Sequence, residues 1–253
     1  MKQYTRSLGL FLCFFILIAY SFSVPVQASI PTIINTDNST EGYFSVYYSS
    51  PSASKLKVKV MFNDEITYYD YISGETSTYA FEQGNGVYTI SLFKNIRGIQ
   101  YIEIATKTVD VKLDNNMSPY LVNTSEVSFS NDGIVYDTAR AVCDGLLDNT
   151  SKVIAIHDFV KSTISYDWEL ATDVLDGDVK MYVPNAATVL INKTGICYDY
   201  AVLFAAMCRS QGIPCSVEKG YYSGEYHAWD RVYIDGEWRD VDTTISSDKF
   251  IKK

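Results

Sequence analysis

Three residues late in the chain have the types and spacing that nucleophilic catalysis requires. The first is Cys197, in the stretch Thr194-Gly195-Ile196-Cys197-Tyr198-Asp199-Tyr200. Ile196, Tyr200, Leu203, Phe204, Met207 and Cys208 recur at helical spacing, and Gly212-Ile213-Pro214 ends the run. Cys197 therefore falls in the first turn of a predicted helix, with Thr194 as its cap. Unpaired N–H groups there carry partial positive charge, which favours a thiolate, and the thiolate is the nucleophile. Gly195 lets the backbone turn sharply ahead of the helix.

A nucleophile needs a base, and the base needs a group that orients it. The stretch EYHAWDRVYIDGEWRDVDTT, residues 225–244, holds candidates for both. Asp235-Gly236 is a two-residue hairpin signal. With that turn Ile234 faces Glu237, Asp230 faces Val241 and His227 faces Thr244. Asp242 becomes the diagonal neighbour of His227 on one face, within side-chain reach. Asp240 lies two residues further off, and Asp230 faces the other way. A bulge after the turn would invert this parity. The His227 face also carries Trp229 and Trp238, and the opposite face carries Ala228, Val232, Ile234 and Val241.

The second histidine, His157, shares a helical stripe with Val153, Ile156, Val160 and Ile164, so it reads as a core or boundary residue rather than a catalyst. Cys143, Cys208 and Cys215 read as small core residues, although Cys208 and Cys215 are spaced to pair across a helix end. There is no C-x-x-C pair and only two histidines, so neither zinc nor any other metal is expected. Walker, H-E-x-x-H and G-x-S-x-G motifs are absent.

Two regions with different periods must position these residues. From residue 29 to about 130 the chain alternates as strands do: Leu56, Val58, Val60 and Phe62 lie on one face, and Tyr88, Ile90 and Leu92 follow the turn Gly84-Asn85-Gly86. This predicts a small all-β, immunoglobulin-like sandwich. Its tyrosines, Tyr43, Tyr47, Tyr48, Tyr68, Tyr69 and Tyr71, are read as filling a half-buried sheet rather than forming a sugar- or peptide-binding face. From residue 131 the period becomes helical. Ile134 to Asp148 is one predicted helix, Thr150 or Ser151 caps a second, and Pro184-Asn185 opens a short segment from Ala186 to Leu190.

Residues 1–28 are a targeting segment. Lys2 and Arg6 precede an apolar run from Leu8 to Tyr20, and Val26-Gln27-Ala28 is a small-residue cleavage site. The run is short for a membrane span. Its removal leaves 19 basic residues against 30 acidic ones, a net charge of −11, which disfavours nucleic acid and anionic membranes as partners. The protein is expected to be secreted or held at the cell surface, as a monomer.

The runs G-I-C-Y-D-Y-A, R-S-Q-G-I-P, H-A-W and W-R-D-V-D-T-T resemble the transglutaminase-like superfamily of papain-like cysteine enzymes. The likeness spans about residues 134 to 244. It implies an α+β papain-like domain over residues 131–253, with a Cys-bearing helix packed on an antiparallel sheet. It also implies that a β-rich region, here residues 29–130, precedes that domain in a secreted bacterial protein. By this resemblance Cys197 is the nucleophile, His227 the general base and acid, and Asp242 the orienter. The Cys197 N–H is one oxyanion donor, Asn192 a candidate second donor, and Trp229 a wall of the site. The acidic clusters of calcium-dependent members are absent, and no cofactor is implied. The chain ends eleven residues after Asp242, which implies an open cleft.

The expected reaction is acyl transfer from a peptide or protein amide, with cell-wall or cell-surface polypeptides among the candidate substrates. Water or an amine resolves the acyl-enzyme, and exclusion of water decides which. The alternative is a non-catalytic binding or scaffold protein that carries a relic of the same domain. The reactivity of Cys197 separates the two.

Overall fold

The computed structural model describes residues 32–179, 182–222 and 225–244. The expected targeting segment and its cleavage point at Ala28 lie outside these residues. So does the chain after Thr244.

The first half is all β. Its strands are β1 (Ile34–Asn35), β2 (Tyr43–Tyr47), β3 (Leu56–Phe62), β4 (Glu65–Tyr71), β5 (Thr76–Ala80), β6 (Gly86–Arg97) and β7 (Gln100–Val111). They form two antiparallel sheets, of order β1-β2-β5 and β4-β3-β6-β7. The period-two alternation decides what each strand buries. Val58 pairs with Leu92 and Val60 with Ile90. These four side chains join Phe44 and Val46 of the other sheet, and Phe81 just past β5, in one core. Each such side chain contributes about 1.5–3 kcal/mol on burial.

The second half begins with α1 (Ile134–Val142), α2 (Asn149–Thr163) and β8 (Ser165–Tyr166). It continues through α3 (Trp168–Asp176), α4 (Ala186–Asn192), β9 (Thr194–Gly195) and α5 (Cys197–Ser210). It closes with β10 (Cys215–Tyr222), β11 (Glu225–Ile234) and β12 (Glu237–Val241). The fold class is α+β: α5 is buried from Asp199 to Arg209 between α1, α2 and α4 and the antiparallel sheet β10-β11-β12.

Several local expectations change. Helix α1 ends at Val142 rather than Asp148, because Gly145 takes a left-handed φ of 75° and turns the chain. Asp148, not Thr150 or Ser151, caps α2, accepting from the Ser151 N–H at 2.7 Å. Thr194 does not cap α5 but lies in β9, paired with Ser165 of β8. Helix α3 is not among the expected helices, although Trp168, Ala171 and Leu175 recur at helical spacing; it exposes Trp168 and Leu175.

The hairpin follows the expected register. Ile234 pairs with Glu237 and Asp230 with Val241, without a bulge. Strand β12 stops at Val241, so Thr244 does not reach a position opposite His227; Gly220 of β10 takes that place on the other edge. The two halves pack together through Arg209. Its guanidinium donates to the carbonyls of Cys215 and Val122 and to the Glu82 carboxylate, at 2.8, 3.0 and 3.3 Å.

Candidate active site

The start of α5 is built around a buried acid. A Cβ at Gly195 would stand 2.5 Å from the Asp199 Cβ, so only glycine leaves room for that side chain. Asp199 uses the room to accept the Ile196 N–H at 2.8 Å, satisfying one of the orphan donors of the first turn. The Tyr182 hydroxyl donates to the same carboxylate at 2.7 Å. This frame holds Cys197 as the first residue of the helix, partly exposed, with its side chain in the wall of a cleft.

Strand β11, whose Tyr226 and Ala228 line the cleft, carries His227 between them, its side chain 20% exposed. Its Nε2 lies 2.7 Å from Asp242 Oδ2. The other Asp242 oxygen accepts from the Thr244 N–H at 2.9 Å and from its hydroxyl at 2.6 Å, so the carboxylate is held at both ends. His157 reaches the same residue from α2. It is 1% exposed, with Nδ1 2.9 Å from Asp158 Oδ1 and Nε2 3.3 Å from the Asp242 carbonyl oxygen. It is a core histidine, as its stripe implied, and it also ties α2 to the end of β12.

The charges of the three groups are coupled. Burial pushes the Cys197 thiol up, but His227, the Ala228 N–H and Tyr166 outweigh it and hold the thiol below its ordinary value of 9.0. Hydrogen bonding with Asp242, then with Cys197, outweighs the opposing effect of burial and pushes His227 from 6.5 to about 10. Burial raises Asp242, but His227 and Thr244 prevail and lower it. Both shifts favour a thiolate beside an imidazolium over the neutral pair. The other three cysteines among the described residues are free and buried, and burial raises each thiol.

Trp229 meets the site through His227, stacking on the imidazole with centroids 6.4 Å apart and planes 14° apart. Gly220 makes this possible, since a Cβ there would stand 3.2 Å from the indole. Asn192 is exposed at the end of α4, and the residues lining the cleft do not include it.

Sequence reasoning missed Tyr166, which pairs with Gly195 through the two-residue ladder β8-β9 and lines the cleft beside Cys197. Its phenol interacts with the Cys197 thiol and with the Cys197 backbone, and burial pushes it up to about 12. Two residues of strand leave no periodic signal. Asp199 had a signal, an acid at the third helical position after a glycine. The six tyrosines divide: Tyr71 is buried in the sheet, whereas Tyr68 and Tyr69 line the cleft. Among the described residues no cluster of His, Cys, Asp or Glu could hold a metal ion, and no helix is long and apolar enough to cross a membrane.

Residues 136–243 match the family model described as the transglutaminase-like superfamily. The kyphoscoliosis peptidase of Mus musculus is 34% identical over 108 residues, covering 38% of this chain and 16% of that protein. Its Homo sapiens counterpart is 41% identical over 63 residues, covering 20% and 10%. This chain thus spans at most about a sixth of the length of these relatives. Among solved structures, a TGase is 26% identical, covers 46% of this chain and 31% of its own, and superposes with a TM-score of 0.38.

Proposed function

We propose that the transglutaminase-like domain matched at residues 136–243 is a cysteine enzyme that transfers acyl groups from peptide or protein amides. The observation that carries this reading is a partly exposed Cys197 in a cleft wall, its thiol lowered by an imidazole that Asp242 holds at 2.7 Å. In the mechanism, the Cys197 thiolate attacks the amide carbonyl carbon and forms a tetrahedral adduct. His227 gives its proton to the leaving nitrogen, the C–N bond breaks and a thioester remains. Neutral His227 then takes a proton from the incoming water or amine, which attacks the thioester and restores the thiolate. Asp242 keeps the imidazole in position and stabilises its charge. The Cys197 N–H is one oxyanion donor and the Tyr166 hydroxyl the second, because Tyr166 shares the cleft with Cys197 while Asn192 lies outside it.

Residues 1–28 act in this reading as a cleaved secretion signal, and residues 29–130 and 131–253 as the β-rich and catalytic regions. The reaction then takes place outside the cytoplasm. The chain and a Cys197→Ala control are each incubated with glutamine peptides and a primary amine, and products are read by mass spectrometry. Amine adducts lost in the control identify transamidation. Deamidated or cleaved peptides lost in the control identify hydrolysis. Identical product spectra from chain and control, with Cys197 slow to alkylate at pH 6, overturn the enzyme and favour a binding protein.

A further inference from the structure

The cleft beside Cys197 encloses about 590 Å³, space for several side chains, and its walls come from both halves of the molecule. One wall is the start of α5 with α3; the other is built from β4 and β5, including Tyr68, Tyr69 and Tyr79. Its rim is unusually apolar for a surface. Tyr68 is 58% and Leu175 71% exposed, and Ile72, Val183 and Tyr226 are exposed along the same cleft. Scattered exposed apolar residues are ordinary, but five around one cleft mark a surface that another chain covers.

The charges of the walls say what kind of chain. Asp70, Glu75 and Glu126 line the cleft, where Lys57 pairs with Asp70 at 2.8 Å and Lys219 with Glu126 at 2.7 Å; among the described residues Glu75 makes no ion pair, and the whole chain carries a net charge of −9. Lys219 itself shows how these walls treat a cation. Its ammonium lies 4.8 Å over the Tyr198 ring and 2.7 Å from the Glu126 carboxylate. An aromatic face beside a carboxylate is an arrangement that holds ammonium and guanidinium groups. On the opposite wall the exposed Tyr68 ring and the Glu75 carboxylate line the cleft and supply both kinds of group, while Tyr69 packs on Tyr79 with centroids 4.9 Å apart. An acidic side chain entering there would meet like charge.

We propose that the cleft binds an extended, basic segment of a protein substrate. Apolar side chains cover the rim, and a Lys or Arg side chain is held by Tyr68 and Glu75. The β-rich half thereby selects the substrate that Cys197 acts on. The proposal rests on the acyl-transfer reading for the chemistry at Cys197, but binding itself does not need the thiol.

The test uses the chain with Cys197→Ala and three fluorescent peptides. Each has a central Gln flanked by Leu and Tyr, with two Lys, two Glu or two Ser further out. Fluorescence anisotropy should show the Lys peptide binding about tenfold more tightly than the Glu peptide, with the gap closing as salt rises. Tyr68→Ala and Leu175→Ala should each weaken binding about three- to tenfold while the melting temperature stays the same. Glu75→Gln should abolish the preference for Lys. Equal or tighter binding of the Glu peptide overturns the proposal, as does unchanged affinity in both rim variants. Alkylation of Cys197 in the unaltered chain is read separately, so the acyl-transfer reading and the docking proposal can fail independently.

Discussion

At the scale of single residues, the proposed chemistry depends on the movement of a proton from sulfur to imidazole. Cys197 lies below its ordinary 9.0 and His227 is raised to about 10, so both shifts favour the thiolate–imidazolium pair over the neutral one. The rate profile should rise on an acid limb below 9.0, where Cys197 loses its proton, and fall on an alkaline limb near 10, where His227 does. Iodoacetamide at pH 6 should label Cys197 and leave Cys143, Cys208 and Cys215 untouched, as a tryptic digest would reveal. Asp242→Asn removes the charge that raises His227; kcat/KM should fall roughly 10²- to 10⁴-fold and labelling at pH 6 should slow. Tyr166→Phe should lower kcat about 10²-fold with little change in KM, as loss of an oxyanion donor does. An unchanged or higher kcat would mean that the hydroxyl only packs beside the thiol or obstructs the site.

At the scale of elements, two contacts fix where the helix and the hairpin meet. Gly195 leaves the space that Asp199 fills to cap α5. Gly195→Ala should drive the carboxylate out, leave the Ile196 N–H unpaired, and lower stability by roughly 1–3 kcal/mol in denaturant titration. Cys197 labelling should slow in the same variant, because the first turn of α5 moves. His157 joins α2 to the end of β12 through the Asp242 carbonyl. His157→Leu should leave that buried oxygen without a partner and cost about 1–3 kcal/mol. A variant as stable as the parent would show that the contact contributes nothing. These contacts differ in how far they could be read from the chain. The hairpin register was legible, because Asp235-Gly236 sets which residues face each other and His227 and Asp242 follow by parity. The cap was misassigned to Thr194, because a helix start admits several polar neighbours and only packing selects Asp199.

At the scale of the whole molecule, the sheet beneath the site contains a buried acid with no part in the chemistry. Asp230 is 0% exposed, its Oδ1 receives the Cys215 thiol at 3.8 Å, and its Oδ2 has no hydrogen-bond partner among the described residues. Burial first, then Cys215, raises it well above its ordinary 3.8. A raised group binds its proton more tightly in the folded state. Its contribution to stability is full below pH 3.8 and is lost as pH rises through the folded value. Asp230→Asn should therefore flatten the fall in melting temperature between pH 5 and 8, and raise that temperature at pH 8. An unchanged slope would mean that other groups set it.

Composition and periodicity sufficed for the two regions, since a period of two can bury one face only in a sheet and a period near four only in a helix. The tight hairpin likewise set Asp242 beside His227, because its turn is a local structure with a local signal, whereas nothing local brings Cys197 to them. Tertiary structure alone decided the rest. Tyr166 comes beside Cys197 through a two-residue ladder, Arg209 joins the halves across 87 and 127 residues of sequence, and the tyrosines of β4 line a cleft whose other wall is α3 and α5. Contacts between residues so distant in sequence follow from how finished elements pack, and no local pattern records where a strand of one half will meet a helix of the other.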